Sequence, residues 1–355
     1  MFLKSLDLQN FRSYSKATFD FSENTTIIVG PNTAGKTNLI EAIFLLSRGK
    51  SFRAEKDIQM IAFGQDLARV KGKLANEEKV ELEAVLTTGR IGGVEAPLKR
   101  FLVNGVAKRR VDFITHLPTV LFSPVDLEII VDSPSTRRNF LDDVLEQIDH
   151  QYRLALVTYG KALRQRNALL EVARESGVRR EGQFEYWDKI LIENGNLLTL
   201  KREEFIVFIN RAKKEVFDFT VLYDKSTISK ERLLQYKDAE VGAAATLVGP
   251  HRDDLSIRIN PSSSNESESV DVKLFGSRGQ QRLVVLQLKL IALSFIESRL
   301  GVRPVLLLDD IFSELDEDHI RIIYDILHKQ QTILTTTHEE FIDKRRIRDA
   351  SVVKL

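Results

Sequence analysis

The chain has no cysteine among its 355 residues, which excludes disulfide staples, thiol nucleophiles and thiolate metal sites. Its six histidines are scattered, without the close spacing of a zinc site. No apolar run approaches the ~20 residues of a membrane-spanning helix, and the opening MFLKSLDLQNF turns polar too early for a secretory signal. An excess of one charge is also missing: 52 basic residues nearly cancel 51 acidic ones, for a net charge of +1. Any nucleic-acid contact must then come from a local patch. No internal repeat is visible. The expectation is a soluble, cytoplasmic protein with no membrane partner. Its 43% hydrophobic content supports a real core, and its length allows two or three domains at roughly 150 residues each.

What is present is organised around residues 27–40, IIVGPNTAGKTNLI. Ile27, Ile28 and Val29 read as a short buried strand. Gly30, Pro31, Asn32, Thr33, Ala34, Gly35, Lys36 and Thr37 fit the phosphate-loop pattern G-x-x-x-x-G-K-[ST], and apolar residues at helical spacing follow. Glycines let successive N–H groups turn inward toward phosphate oxygens, and the helix start adds its positive dipole end. Lys36 can reach the β- and γ-phosphates, and Thr37 can hold Mg²⁺. The implied ligands are ATP and Mg²⁺.

Around this loop the pattern is mixed. Strands are expected at 2–8, at 17–21 beyond a turn at NFRSY, at 66–75 and 79–88, and on both sides of Asn104-Gly105, the preferred pair for a two-residue hairpin. Lys108, Arg109 and Arg110 at that hairpin's end read as a charged edge strand rather than a DNA contact. After the strand 119–122, helical periodicity runs from 137 to about 175 and from about 183 to 217. Gly177–Gly182 forms the turn of this helical hairpin, whose apolar stripes read as core. Short strands are expected over 219–259, a mobile Ser-rich loop at 260–269, and sheet again at 270–275. A helix at 283–296, the strand VLLLDD, a helix at 316–329, a strand at 332–336 and a last edge strand near Val352 complete the chain.

The second half of a site lies near the C-terminus. VLLLDD is an apolar strand ending in carboxylates, and a parallel strand delivers its end to the same sheet edge as the phosphate loop. Asp309 would bind Mg²⁺, and Asp310 would orient or deprotonate the attacking water. Ser277 and Gly279 in GSRGQQR precede a helix and suit a γ-phosphate.

The order of phosphate loop, serine–glycine signature, Asp-ended strand, SELD and histidine resembles the ABC-type ATPases. There the signature acts in trans on a second subunit's nucleotide. By that resemblance Ser277, Gly279 and Gln280 close the partner's site, Ser313–Asp316 forms a D-loop across a dimer, and His338 is the switch histidine. LDLQNFRSY, GPNTAGKTNLIEA, FSPVDLEIIVDSPSTRRNFLD, GPHRDDL, GSRGQQR and LLLDDIFSELD resemble the RecF family along the whole chain. The family implies an α/β fold: an ABC-type head (1–122 with 300–355) plus a second lobe (123–299) bearing a short helical hairpin and the signature. It implies a weak ATPase, dimerising with ATP on double-stranded DNA near single-strand gaps; a nuclease would need an additional acidic metal cluster and its own domain, so no nuclease activity is expected. Its partners RecO and RecR help load RecA in repair and replication restart. Arg12, in the family's NFR segment, approaches phosphate or is a structural surface arginine. Arg137, Arg138 and GPHRDDL read as helix-start packing and a turn network. Two departures stand out. Thr33 occupies a place where the family carries glycine, so the loop either takes negative φ there or is strained. No glutamine stands near Val120–Pro124, where one is expected. The competing reading is an ABC-type ATPase subunit energising a process other than DNA metabolism.

Overall fold

In the computed structural model, which describes residues 2–75, 79–259, 269–313, 317–327, 329–337 and 350–355, the N-terminal alternation becomes an antiparallel ribbon. Its strands are β1 (Phe2–Phe11) and β2 (Tyr14–Asp20). They extend further into NFRSY than the sequence suggests, because Arg12 takes a left-handed conformation (φ 52°) and Phe11 pairs directly with Tyr14. β3 (Thr25–Val29) leads through the phosphate loop into α1 (Lys36–Arg48). Leu39, Ile40, Ala42, Ile43, Leu45 and Leu46 of α1 are fully buried. A helix apolar on every side needs a layer on each side.

One layer is an antiparallel sheet in the order β2-β1-β4-β5-β8-β9. Its further members are β4 (Leu67–Ala75) and β5 (Val80–Thr87), then, beyond the small ribbon β6 (Arg90–Ile91) and β7 (Val94–Glu95), β8 (Lys99–Val103) and β9 (Val106–Lys108). α1 approaches this sheet at Gly72, where a Cβ would lie 2.6 Å from Leu46 Cδ1. Asn104 (φ 50°) and Gly105 (φ 77°) supply the two left-handed residues of the β8–β9 turn. α2 (Arg110–Phe113) and β10 (Thr119–Phe122) follow.

The chain divides into two units, Met1–Asp126 with Leu288–Leu355, and Leu127–Gln287. The second opens with α3 (Glu128–Val131), α4 (Pro134–Ile148), α5 (His150–Ser176) and α6 (Glu181–Arg211). The single helix expected from 137 to 175 is two. The break is Asp149, whose carboxylate accepts the Tyr152 N–H at 2.9 Å and caps α5. α5 ends at left-handed Gly177. α6 stops at Arg211, short of 217, and its 31 residues span about 46 Å.

β11 (Thr220–Asp224) and β12 (Asp254–Ile259) are strands, but α7 (Lys230–Gln235) and α8 (Lys237–Ala243) replace the strands expected between them. Ser229 starts α7 by accepting the Arg232 N–H. β13 is only Val270–Asp271, because Asp271 accepts the Lys273 N–H at 2.8 Å and starts α9 (Val272–Phe275). The Ser-rich stretch lies, up to residue 268, outside the described residues. α10 (Arg278–Leu300) begins in the second unit, and its residues from Leu288 belong to the first.

β14 (Val305–Leu308), α11 (Glu317–Leu327), β15 (Thr332–Thr336) and β16 (Ser351–Lys354) complete the first unit. The strands form a parallel sheet in the order β10-β14-β15-β3-β16, the second layer on α1. Ile28, Leu121, Leu307 and Ile333 share one core with α1. No helix among the described residues is long and apolar enough to cross a membrane.

Candidate nucleotide site

Parallel pairing puts the C-terminal ends of β3, β14 and β15 at one edge of the sheet, and the phosphate loop opens there. Gly30 donates its N–H to Thr336 O at 3.3 Å. Gly35 has φ 103°, and a Cβ there would lie 2.8 Å from Tyr14 Oη, so both backbone and space require glycine. The Tyr14 hydroxyl in turn donates to Gly35 O at 3.1 Å, and burial pushes its pKa up to about 12. Lys36 is 4% exposed and donates from Nζ to Gly30 O (2.9 Å) and Pro31 O (3.1 Å), bracing the loop across its mouth. Thr33 sits at φ 76°, so of the two sequence alternatives the strained one holds.

The two ends of the chain meet at the foot of this loop. Thr37 donates its hydroxyl to Asp309 Oδ1 at 3.1 Å. Thr335 donates to the same oxygen at 2.8 Å, and the Asp310 N–H donates to Thr335 Oγ1 at 3.0 Å. Burial raises the Asp309 pKa above the usual carboxylate range; the two hydroxyls act against this and the neighbouring Asp310 adds to it. Asp310 has φ 49°, a left-handed conformation that aspartate tolerates better than most residues. A carboxylate and a threonine hydroxyl at one point are hard oxygen donors of the kind Mg²⁺ takes, so the residues present fit that ion. Sequence reasoning missed Thr335; its only signal was the threonine run closing strand 332–336.

Beside the loop, Arg12, Ser13, Asn38, Arg53, Gln59 and Ile61 help to line a polar cleft of about 560 Å³. Arg12 is held rather than loose. It donates to both oxygens of fully buried Glu41 (2.8 and 2.6 Å) and to Gln59 O (2.6 Å). Burial tends to raise the Glu41 pKa, but hydrogen bonds from Arg12, Arg53 and Ser51 hold it below the usual range. Where a glutamine was expected after β10, Ser123 donates its N–H to Asp126 Oδ2 (2.7 Å), and Lys289 pairs with Asp126 Oδ1 (2.6 Å).

Ser277, Gly279 and Gln280 lie in the second unit. Ser277 and Gln280 form a reciprocal cap: Ser277 N–H donates to Gln280 Oε1 (2.9 Å), and Gln280 N–H to Ser277 Oγ (3.2 Å). Ser277 and Gly279 are exposed. His338 and Glu314–Asp316 lie outside the described residues.

The other two sequence blocks interlock. Arg137 clasps Asp254 (2.6 and 3.0 Å), and Arg138 donates to Asp253 O (2.7 Å). Arg202, 3% exposed, bridges Asp142 (2.8 Å), Asp253 (3.0 Å) and Pro250 O (2.7 Å). RRNFLD and GPHRDD are thus joined, through Arg202 of α6, in one partly buried ion network.

A profile of the RecF/RecN/SMC N-terminal domain matches residues 2–352. The DNA replication and repair protein RecF of Geobacillus sp. (strain WCH70) is 32% identical, over 100% of this chain and 97% of its own. That of Moorella thermoacetica is 35% identical, over 99% and 94%. A solved recombination mediator protein RecF, described with ATP in the RecFOR pathway, superposes with a TM-score of 0.85 at 31% identity, covering 96% of this chain and 93% of that one. A solved Smc head bound to the C-winged helix domain of ScpA, 17% identical with a TM-score of 0.52 over 100% of this chain and 94% of that one, shares the fold. With a head of the ABC-type ATPase fold and relatives matched end to end, the chain belongs to the RecF family of DNA replication and repair proteins.

Proposed function

We propose that the chain is an ATP-dependent DNA-binding recombination mediator and a weak ATPase. The observation that carries this is the Thr37–Asp309 contact, which joins residues 272 positions apart into one oxygen site at the phosphate loop. The relative described with ATP makes ATP the nucleotide of choice.

In this reading, backbone N–H groups of residues 32–37 cradle the β- and γ-phosphates and Lys36 swings from the loop carbonyls to them. Thr37 and Asp309 would hold Mg²⁺. Bound there, that ion neutralises charge on the transferring phosphoryl group. Asp310 orients the water and accepts its proton, with His338 beside the γ-phosphate. Ser277, Gly279 and Gln280 of one copy close the nucleotide of a second copy, so ATP joins two chains and hydrolysis releases them. The two states differ in contacts to the γ-phosphate, which is what makes ATP a switch. The closed pair would bind duplex DNA next to a single-strand gap and, with RecO and RecR, assist RecA loading. Fluorescent-ATP titration of Lys36→Met tests the first step: binding is lost, and a variant that binds like the wild type refutes the assignment of the loop.

A further inference from the structure

Thr335 occupies the last position but one of β15 and is fully buried. Leu334 pairs with Leu308, so Thr335 stands opposite Asp309 on the same face of the sheet. Burying a hydroxyl is unfavourable unless it is bonded, and this one is used twice. Its oxygen accepts the Asp310 N–H at 3.0 Å. That partner is a donor only, so the hydroxyl proton is committed to Asp309 Oδ1, 2.8 Å away.

Two consequences follow for the strand end. Thr37 and Thr335 both bond the same oxygen of Asp309, Oδ1. Two bonds to one oxygen restrict the rotation of the carboxylate and leave Oδ2 as the oxygen for a cation or its water. Capture of the Asp310 N–H also holds that residue in its left-handed turn, φ 49°, and so sets where its side chain leaves the backbone. The geometry points to Thr335 as a positioning residue, a single hydroxyl that aims both carboxylates of the hydrolytic site. The inference rests on the nucleotide–Mg²⁺ reading above and adds a residue to it.

The test uses the full chain and Mn²⁺, read by electron paramagnetic resonance with a non-hydrolysable ATP analogue present. Thr335→Val keeps the branched shape and removes the hydroxyl; Thr335→Ser keeps the hydroxyl. The valine variant should bind Mn²⁺ roughly ten- to a hundredfold more weakly, the worth of one hydrogen bond to a charged group. The serine variant should stay within about twofold of wild type on the same scale. Fluorescent-ATP binding in EDTA should be unchanged in both, which a general loss of structure would not allow. Should the valine variant not fold, Thr335→Ala repeats the comparison. Wild-type Mn²⁺ affinity in the valine variant, or an equal loss in the serine variant, overturns the role of Thr335. If the wild type itself gives no nucleotide-dependent Mn²⁺ signal, the metal reading falls and takes this inference with it.

Discussion

Thr33 offers a measurable link between one backbone angle and the stability of the phosphate loop. It is β-branched and held at φ 76°, where an L-residue costs about 1–2 kcal/mol relative to the right-handed region. Glycine removes that cost but loses more chain entropy on folding, about 0.5–1 kcal/mol. The balance predicts that Thr33→Gly stabilises the first unit by about 1 kcal/mol. For a unit of its size that is about 2–4 °C in melting temperature. Thr33→Ala is the control, since it deletes the same side chain yet keeps the Cβ responsible for the strain. Circular dichroism melts of the three proteins should rank glycine above alanine. A glycine variant melting at or below the alanine variant would refute the reasoning, because Thr33 would then not be held at positive φ.

The ion network of the second unit gives a larger effect. Arg202→Met leaves Asp253, 1% exposed, without its guanidinium, and should cost about 3–5 kcal/mol in urea denaturation; Arg202→Met with Asp253→Asn should recover part of this, and no loss in the single variant would show the pair to be dispensable. His251 bonds Tyr159 Oη (2.7 Å) and Thr246 O (2.9 Å), and burial lowers its pKa to about 4. Because the unfolded chain takes up the proton first, near 6.5, the contribution of His251 is complete above that pH and is lost as pH falls through about 4, to a limit of about 3 kcal/mol. Denaturation at pH 7 and pH 4.5 should show a smaller drop for His251→Gln than for the wild type; equal drops would contradict the assignment.

Elements whose signal is local were legible in the sequence. Asn104-Gly105 can only turn one way, the run VLLLDD has no polar break before its carboxylates, and GPNTAGKT sits between a strand and a helix whose apolar residues match. What stayed hidden is a single capping bond, elements too short to show a period, or contacts between segments far apart in the chain. Asp149 inside a continuous helical pattern looked like one more polar position until its bond to the Tyr152 N–H made it a cap. Lys230–Gln235 and Lys237–Ala243 are too short for a helical period to show. Thr335 reads as an ordinary strand residue, because its role exists only where β15 lies beside β14. Arg137, Arg138 and GPHRDD were recognisable as blocks, but that they bind one another becomes visible only in the fold.

In the proposed function, a nucleotide pocket assembled from both ends of the chain is completed by a second copy. Sedimentation velocity with a non-hydrolysable ATP analogue, Mg²⁺ and duplex DNA addresses it most directly, comparing the wild type with Ser277→Arg. The expected result is a nucleotide-dependent dimer for the wild type and a monomer that still binds nucleotide for the variant. A wild-type protein that stays monomeric at saturation, or a variant that dimerises equally well, would contradict it.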